Sequence, residues 1–143
     1  MIKNLKKRLK NQRGLTLVEL LAVIVILGIV SAIAVPSIGG IIEKSKEDAL
    51  KADAIQVLNA AKLYASSTTI NAPTLLTDDG DKTLEQFLDI KSETDYSITI
   101  TPEDGAYTYA AITITRDGKT ISNVTEENLL SDNVKVKEVK SGS

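Results

Sequence analysis

LTLVELLAVIVILGIVSAIAV, residues 15–35, carries a single charge, Glu19, and has no polar face. As a helix rising about 1.5 Å per residue it is about 31 Å long, which matches the roughly 30 Å hydrocarbon core of a bilayer. A helix that is apolar all round needs lipid or other helices against it. A core helix of a soluble protein is the competing reading, but such helices rarely exceed about 14 apolar residues without a polar stripe. The apolar character runs on to Ile42 with Glu19 still the only charge.

Upstream, residues 1–14 hold Lys3, Lys6, Lys7, Arg8, Lys10 and Arg13 and no acid, a charge of +6. The whole chain has 17 bases and 19 acids, so from Leu15 onward 17 − 6 = 11 bases face 19 acids, a charge of −8. A basic segment next to a membrane span stays on the cytoplasmic side, which predicts an N-in, C-out orientation. An acidic outer part argues against a nucleic-acid surface driven by net charge, while a local basic strip stays open.

An ordinary secretory signal is cut after its apolar region at a small-residue site. No such site follows this run, because Val35-Pro36-Ser37 is a poor candidate. The small residue at a boundary is Gly14, before the run. Cutting after Gly14 removes the charge cluster and keeps the membrane segment. Glu19 then needs an explanation, since a charge at the centre of a membrane helix costs roughly 2.5–3.5 kcal/mol, and less near the interface. It can snorkel or be protonated. It can also seek a cation, and the cut creates one, the α-amine of Leu15. Residues four apart lie one helical turn apart, so the pair can form within one chain or between two.

Arg13-Gly14-Leu15-Thr16-Leu17-Val18-Glu19-Leu20-Leu21, followed by Ala22–Val35 and Pro36, resembles the class III signal of type IV prepilins and related pseudopilins. Glycine before the cut, an acid at the fifth mature residue and proline at the twenty-second all match. The resemblance covers roughly residues 8–45. It implies cleavage between Gly14 and Leu15 by a membrane prepilin peptidase that also methylates the Leu15 nitrogen. It further implies that Glu19 pairs with the Leu15 amine of a neighbouring subunit during assembly. Leu15 stands where that family most often has Phe. The partners implied are further copies of the chain, the peptidase and methyltransferase, a pilus assembly platform with its ATPase, and the cytoplasmic membrane.

Pro36 removes a backbone donor, and Gly39-Gly40 follow closely. These three residues predict a bend where the helix leaves the bilayer, or a segment that unwinds when subunits pack. Helical periodicity then returns through Leu50, Ala54, Val57, Leu58, Ala61, Tyr64 and Ala65. Glu43, Lys44, Lys46, Glu47, Lys51, Asp53 and Lys62 are expected on the wetted side. Ser66-Ser67-Thr68-Thr69 and Asn71-Ala72-Pro73 end the helix. The expected division is a leader over 1–14, a filament-core helix over 15–36, its amphipathic half over 37–66 and a head over 67–143.

Residues 67–95 read as a connection with one short helix at Leu84–Leu88, where Thr83 and Gln86 have capping-box spacing. Asp78, Asp79, Gly80 and Asp81 fail the twelve-position calcium-loop pattern and read as a solvated turn. Tyr96–Thr101 alternates with period two, Pro102–Gly105 is a turn, and Tyr107–Arg116 is rich in β-branched and aromatic residues, with Ile112 and Ile114 on one face. Asp117-Gly118 is a hairpin signal leading into Thr120–Val124. Val134, Val136 and Val139, interleaved with lysines, suggest a last edge strand. The expected fold is α+β: a helix over about 15–66, bent near Pro36, packed on three or four antiparallel strands.

The chain has no cysteine and no histidine. Disulfides and thiolate metal sites are therefore excluded, and the usual general acid–base residue is missing. No catalytic, cofactor-binding or metal-binding set stands out. The expected function is a structural subunit of a type IV pilus, a surface fibre of the kind used in adhesion or motility. The alternative is a pseudopilin of a type II secretion or DNA-uptake system. Many pilins close a C-terminal loop with a disulfide, so its absence points to a Gram-positive source or a pseudopilin. Secretion pseudopilins usually carry a calcium site near the C-terminus, for which Asp132 and Asn133 are the only candidates. A membrane-anchored enzyme or binding protein leaves Glu19 unexplained.

Overall fold

The computed structural model describes residues 2–80, 84–90, 92–131 and 133–139, with side chains from Thr16 onward. Helix α1 spans Ile2–Ser67, and strands β1 (Thr74–Thr77), β2 (Asp95–Glu103), β3 (Ala106–Arg116), β4 (Lys119–Val124) and β5 (Lys137–Glu138) follow. Between them lie a single 3-10 turn, Glu85–Phe87, and a short helix α2, Glu126–Leu130. The chain divides into two compact units, Met1–Glu43 and Lys44–Ser143.

The five strands form one antiparallel sheet in the order β1-β2-β3-β4-β5, an α+β head. Sheet and helix share one core. Leu50, Ala54, Val57, Leu58, Ala61 and Ala65 of α1 cluster with Leu76, Tyr96, Ile98, Ile100, Ile112, Ile114 and Ile121 of the strands. The three- and four-residue spacing puts these helix residues on one stripe, and the alanines let the sheet approach closely. Each fully buried Leu, Ile or Val contributes about 1.5–3 kcal/mol.

Four points differ from the sequence reading. Helix α1 begins at Ile2 rather than near Leu15, because residues 2–13 contain good helix formers and no breaker. The sheet has five strands, not three or four. Thr74–Thr77, within the expected connection, pairs with β2 from Thr74↔Ile100 to Thr77↔Ser97. The last strand shrinks to two residues against Lys119 and Thr120. Helix α2 was not expected, although Thr125 caps it by accepting from the Asn128 backbone N–H. The capping-box residue Thr83 lies outside the described residues.

The register of β3 shows a device that alternation alone hides. Ser97 pairs with Thr113 and Thr99 with Ala110, so β3 spends one extra residue, Ala111, which sits at φ 52°. Tyr107 and Tyr109 precede this bulge and Ile112 and Ile114 follow it, and both pairs pack on the core. The two pairs differ in parity, and the bulge brings them onto one face. A second bulge on β4 puts Asn123 at φ 54°, where Ile112↔Val124 gives way to Ile114↔Ile121.

Both hairpins turn on Asp-Gly. Asp104 and Gly105 have φ of 43° and 85°, and Asp117 and Gly118 have 51° and 74°. Two positive φ values make type I′ turns that match the strand twist. A Cβ on Gly118 meets nothing within 4 Å, so Gly118→Ala should cost only the left-handed backbone penalty of about 1–2 kcal/mol. Thermal unfolding of the variant checks this, and an unchanged midpoint contradicts it.

Candidate functional site

In the first unit, the large apolar side chains from Leu17 to Ile42 are 48–70 % exposed. Thr16–Ser67 is the one stretch among the described residues long and apolar enough to cross a membrane. Glu19 stands in this surface, and with Thr16, Leu20, Val23 and Ile24 it lines an open, largely apolar recess. Leu20 and Ile24, like Glu19 and Val23, are one turn apart and share a face. The side chain of Leu15 and the surroundings of Gly14 lie outside the described residues.

Pro36, Gly39 and Gly40 all lie inside α1. Pro36 has no N–H to give the Ala32 carbonyl four residues earlier. A Cβ on Gly39 or Gly40 would meet nothing within 4 Å. The second unit binds its half of α1 by charge as well as by packing. Arg116 donates to the Asp53 carboxylate, and the two side chains are only 10 % and 12 % exposed. Lys119 Nζ donates to Glu47 Oε1 at 3.2 Å. Lys62 pairs with Glu126 and stands 5.7 Å from the centre of the Tyr109 ring. The expected wetted side of the helix is therefore narrower: Asp53, Glu47 and Lys62 turn toward partners from the sheet and α2. Sequence periodicity missed these pairs because each partner is more than sixty residues away. The Tyr109 hydroxyl is pushed above its usual pKa of 10.0, chiefly by burial, with Lys62 opposing the shift.

Beside β1 and β2, Asp78, Glu85, Leu88, Ile90, Ser92, Thr94 and Tyr96 surround a cavity of about 300 Å³. The Tyr96 hydroxyl accepts from the Leu84 backbone N–H at 2.9 Å, and the Tyr96 N–H donates to Asp78 Oδ1 at 3.3 Å. Burial, then the Asp78 and Glu85 carboxylates, raise the Tyr96 pKa against the effect of the Leu84 hydrogen bond. Asp78 thus closes the end of β1 onto β2, a role in the sheet that the solvated-turn reading did not include. Asp81 and Asp132 lie outside the described residues. Among those described, no group of three or more carboxylates is gathered to hold a metal.

This arrangement has one conspicuous chemical capacity, association through the bare helix. Known proteins resemble parts of the chain. Residues 9–35 match the family described as the prokaryotic N-terminal methylation motif. Over 64 residues the chain is 35 % identical to the type II secretion system core protein G of Vibrio cholerae serotype O1. That similarity spans 45 % of this chain and 44 % of the relative, so the chain covers less than half of the protein it matches. No solved structure matches the chain.

Proposed function

We propose that this chain is a prepilin-like protein of the type IV pilin and pseudopilin family, a filament subunit that polymerises through the apolar part of α1 once residues 1–14 are removed. Proteins of this family are structural and non-enzymatic, and the apolar helix anchors such a chain in the membrane before assembly. The observation that carries the proposal is the exposure of every large apolar side chain from Leu17 to Ile42. In lipid that surface is solvated by acyl chains, and outside lipid other apolar helices, such as copies of the same one, must cover it all round.

In this proposal the chain inserts N-in, C-out. A prepilin peptidase cuts between Gly14 and Leu15 and methylates the new amine, and an assembly platform with its ATPase moves the subunit into the fibre. Glu19 pairs with the Leu15 amine of a neighbouring subunit, which sets the axial stagger of the bundle. Pro36, Gly39 and Gly40 give the helix its place to bend or unwind. The test is the mass of the mature protein together with imaging of native cells. Loss of residues 1–14 and fibres containing the chain support the proposal. A retained Met1, or a cut beyond Val35, overturns it.

The Glu19→Ala chain should be processed like wild type yet enter mixed fibres at least tenfold less often. That ratio corresponds to about 1.4 kcal/mol, within the cost of leaving the amine without its partner in an apolar bundle. Quantitative mass spectrometry of sheared fibres measures it, and equal incorporation removes the charge pair.

A pilus fibre is the first reading of the machine this subunit serves. The likeness to a type II secretion system core protein favours a second, a pseudopilus. Deleting the gene separates them. Lost surface fibres with normal protein export indicate the pilus, and blocked export without lost fibres indicates the secretion system.

A further inference from the structure

The two edges of the head carry opposite charge. Among the described residues from Asp78 to Asp95 there are six acids (Asp78, Asp79, Glu85, Asp89, Glu93, Asp95) and no base. This segment follows β1, one edge of the sheet. The opposite edge, β5, belongs to the stretch VKVKEV over residues 134–139, with Lys135 and Lys137 against Glu138. Lys135 and Lys137 are exposed. Four strand spacings separate the edges, about 19 Å, so the lysines of one head cannot reach its own acidic edge.

The acidic edge also holds a recess with unmet hydrogen-bonding capacity. Thr94 is 3 % exposed and lines the cavity of about 300 Å³, and its Oγ1 is buried without a hydrogen-bond partner. Buried hydroxyls are nearly always paired. Asp78 and Glu85 supply carboxylates on the same wall, and Leu88 and Ile90 supply apolar surface. A lysine suits such a site, with its methylene stem along the apolar side and its ammonium, a donor of three hydrogen bonds, at the oxygens.

We propose that the β5 edge of a second copy of this chain docks on the acidic edge, with Lys137 entering the Asp78–Glu85–Thr94 recess. The inference rests on the filament reading above. Two different edges meeting head to tail make a heterologous contact, which propagates into an open helix rather than closing as a dimer. Leu75 and Val139, 59 % and 46 % exposed on β1 and beside β5, add apolar area at the two edges.

The chain has no cysteine, so a Ser92→Cys, Glu138→Cys chain carries only the two introduced thiols. Treated on native cells with a short bismaleimide, it should give a ladder of dimers, trimers and higher oligomers, and neither single variant should. Lys137→Glu should reduce the ladder at least tenfold, and Glu85→Lys in the same chain should restore it. Fibres that assemble without a ladder, or dimers from Ser92→Cys alone, overturn the docking and leave the filament reading standing. Absence of fibres from the wild-type chain overturns the filament reading itself. Should the cysteine chain alone fail to assemble, the charge swap decides. Fibres lost with Lys137→Glu and regained with Glu85→Lys support the docking, and no recovery overturns it.

Discussion

A Gly14→Ala chain should keep its first fourteen residues and form no fibre. Glycine lets a protease backbone approach closely where a Cβ would intrude, and in this sequence it stands at the boundary between six cations and the apolar run. The consequence reaches beyond the uncut bond. A subunit leaves the membrane for a fibre only if its N-terminus comes with it. With the leader attached, Lys3, Lys6, Lys7, Arg8, Lys10 and Arg13 would have to enter the apolar bundle. At roughly 2.5 kcal/mol per cation, the low end for a bilayer centre, the six sum to roughly 15 kcal/mol. Moving the apolar helix from lipid into a bundle of like helices gains little hydrophobic transfer energy to offset that. Intact mass and electron microscopy of cells expressing only the variant test the expectation. A shortened chain in normal fibres would contradict it.

Arg116→Ala should destabilise the head by about 3–5 kcal/mol, because it leaves the Asp53 carboxylate buried without its cation. Domains of this size have total stabilities of about 5–15 kcal/mol, so the variant head should be close to unfolding at growth temperature. Asp117, whose carboxylate lies 3.6 Å from the Arg116 Nε, is an anion and supplies no replacement cation. The loss belongs to the orphaned charge rather than to the pair as such. An Asp53→Leu, Arg116→Met chain, which replaces both charges with apolar side chains, should therefore recover most of it. Chemical unfolding of the full chain in detergent, followed by Tyr fluorescence, measures both variants. A loss below about 1 kcal/mol for Arg116→Ala would mean that water reaches Asp53 and screens it.

Local chemistry along the chain was enough to establish the apolar helix, its basic approach, Gly14 and Glu19 at their spacing, and the Asp117-Gly118 hairpin, whereas the turn expected over Pro102–Gly105 tightens to Asp104-Gly105 because Pro102 and Glu103 pair with β3. Each of these depends on residues within a few positions of one another, and hydrophobic run length and turn geometry are local properties. The continuation of α1 through Pro36 is a different case. A proline weakens one turn, and long helical segments on both sides can carry the backbone across it.

Tertiary structure alone decided three things. Thr74–Thr77 is too short and too mixed to announce a strand, and it becomes one because the β2 backbone offers it partners from Ser97 to Ile100. The bulge at Ala111 has no glycine to mark it, and only the need to bring Tyr107, Tyr109, Ile112 and Ile114 onto one buried face reveals it. Asp53 and Arg116, 63 residues apart, look like ordinary surface charges until the sheet lies on the helix and excludes water between them. Short-range pattern sets which segments are helix, turn or membrane span. Strand pairing and buried charge depend on distant residues brought together, and no window along the chain contains both partners.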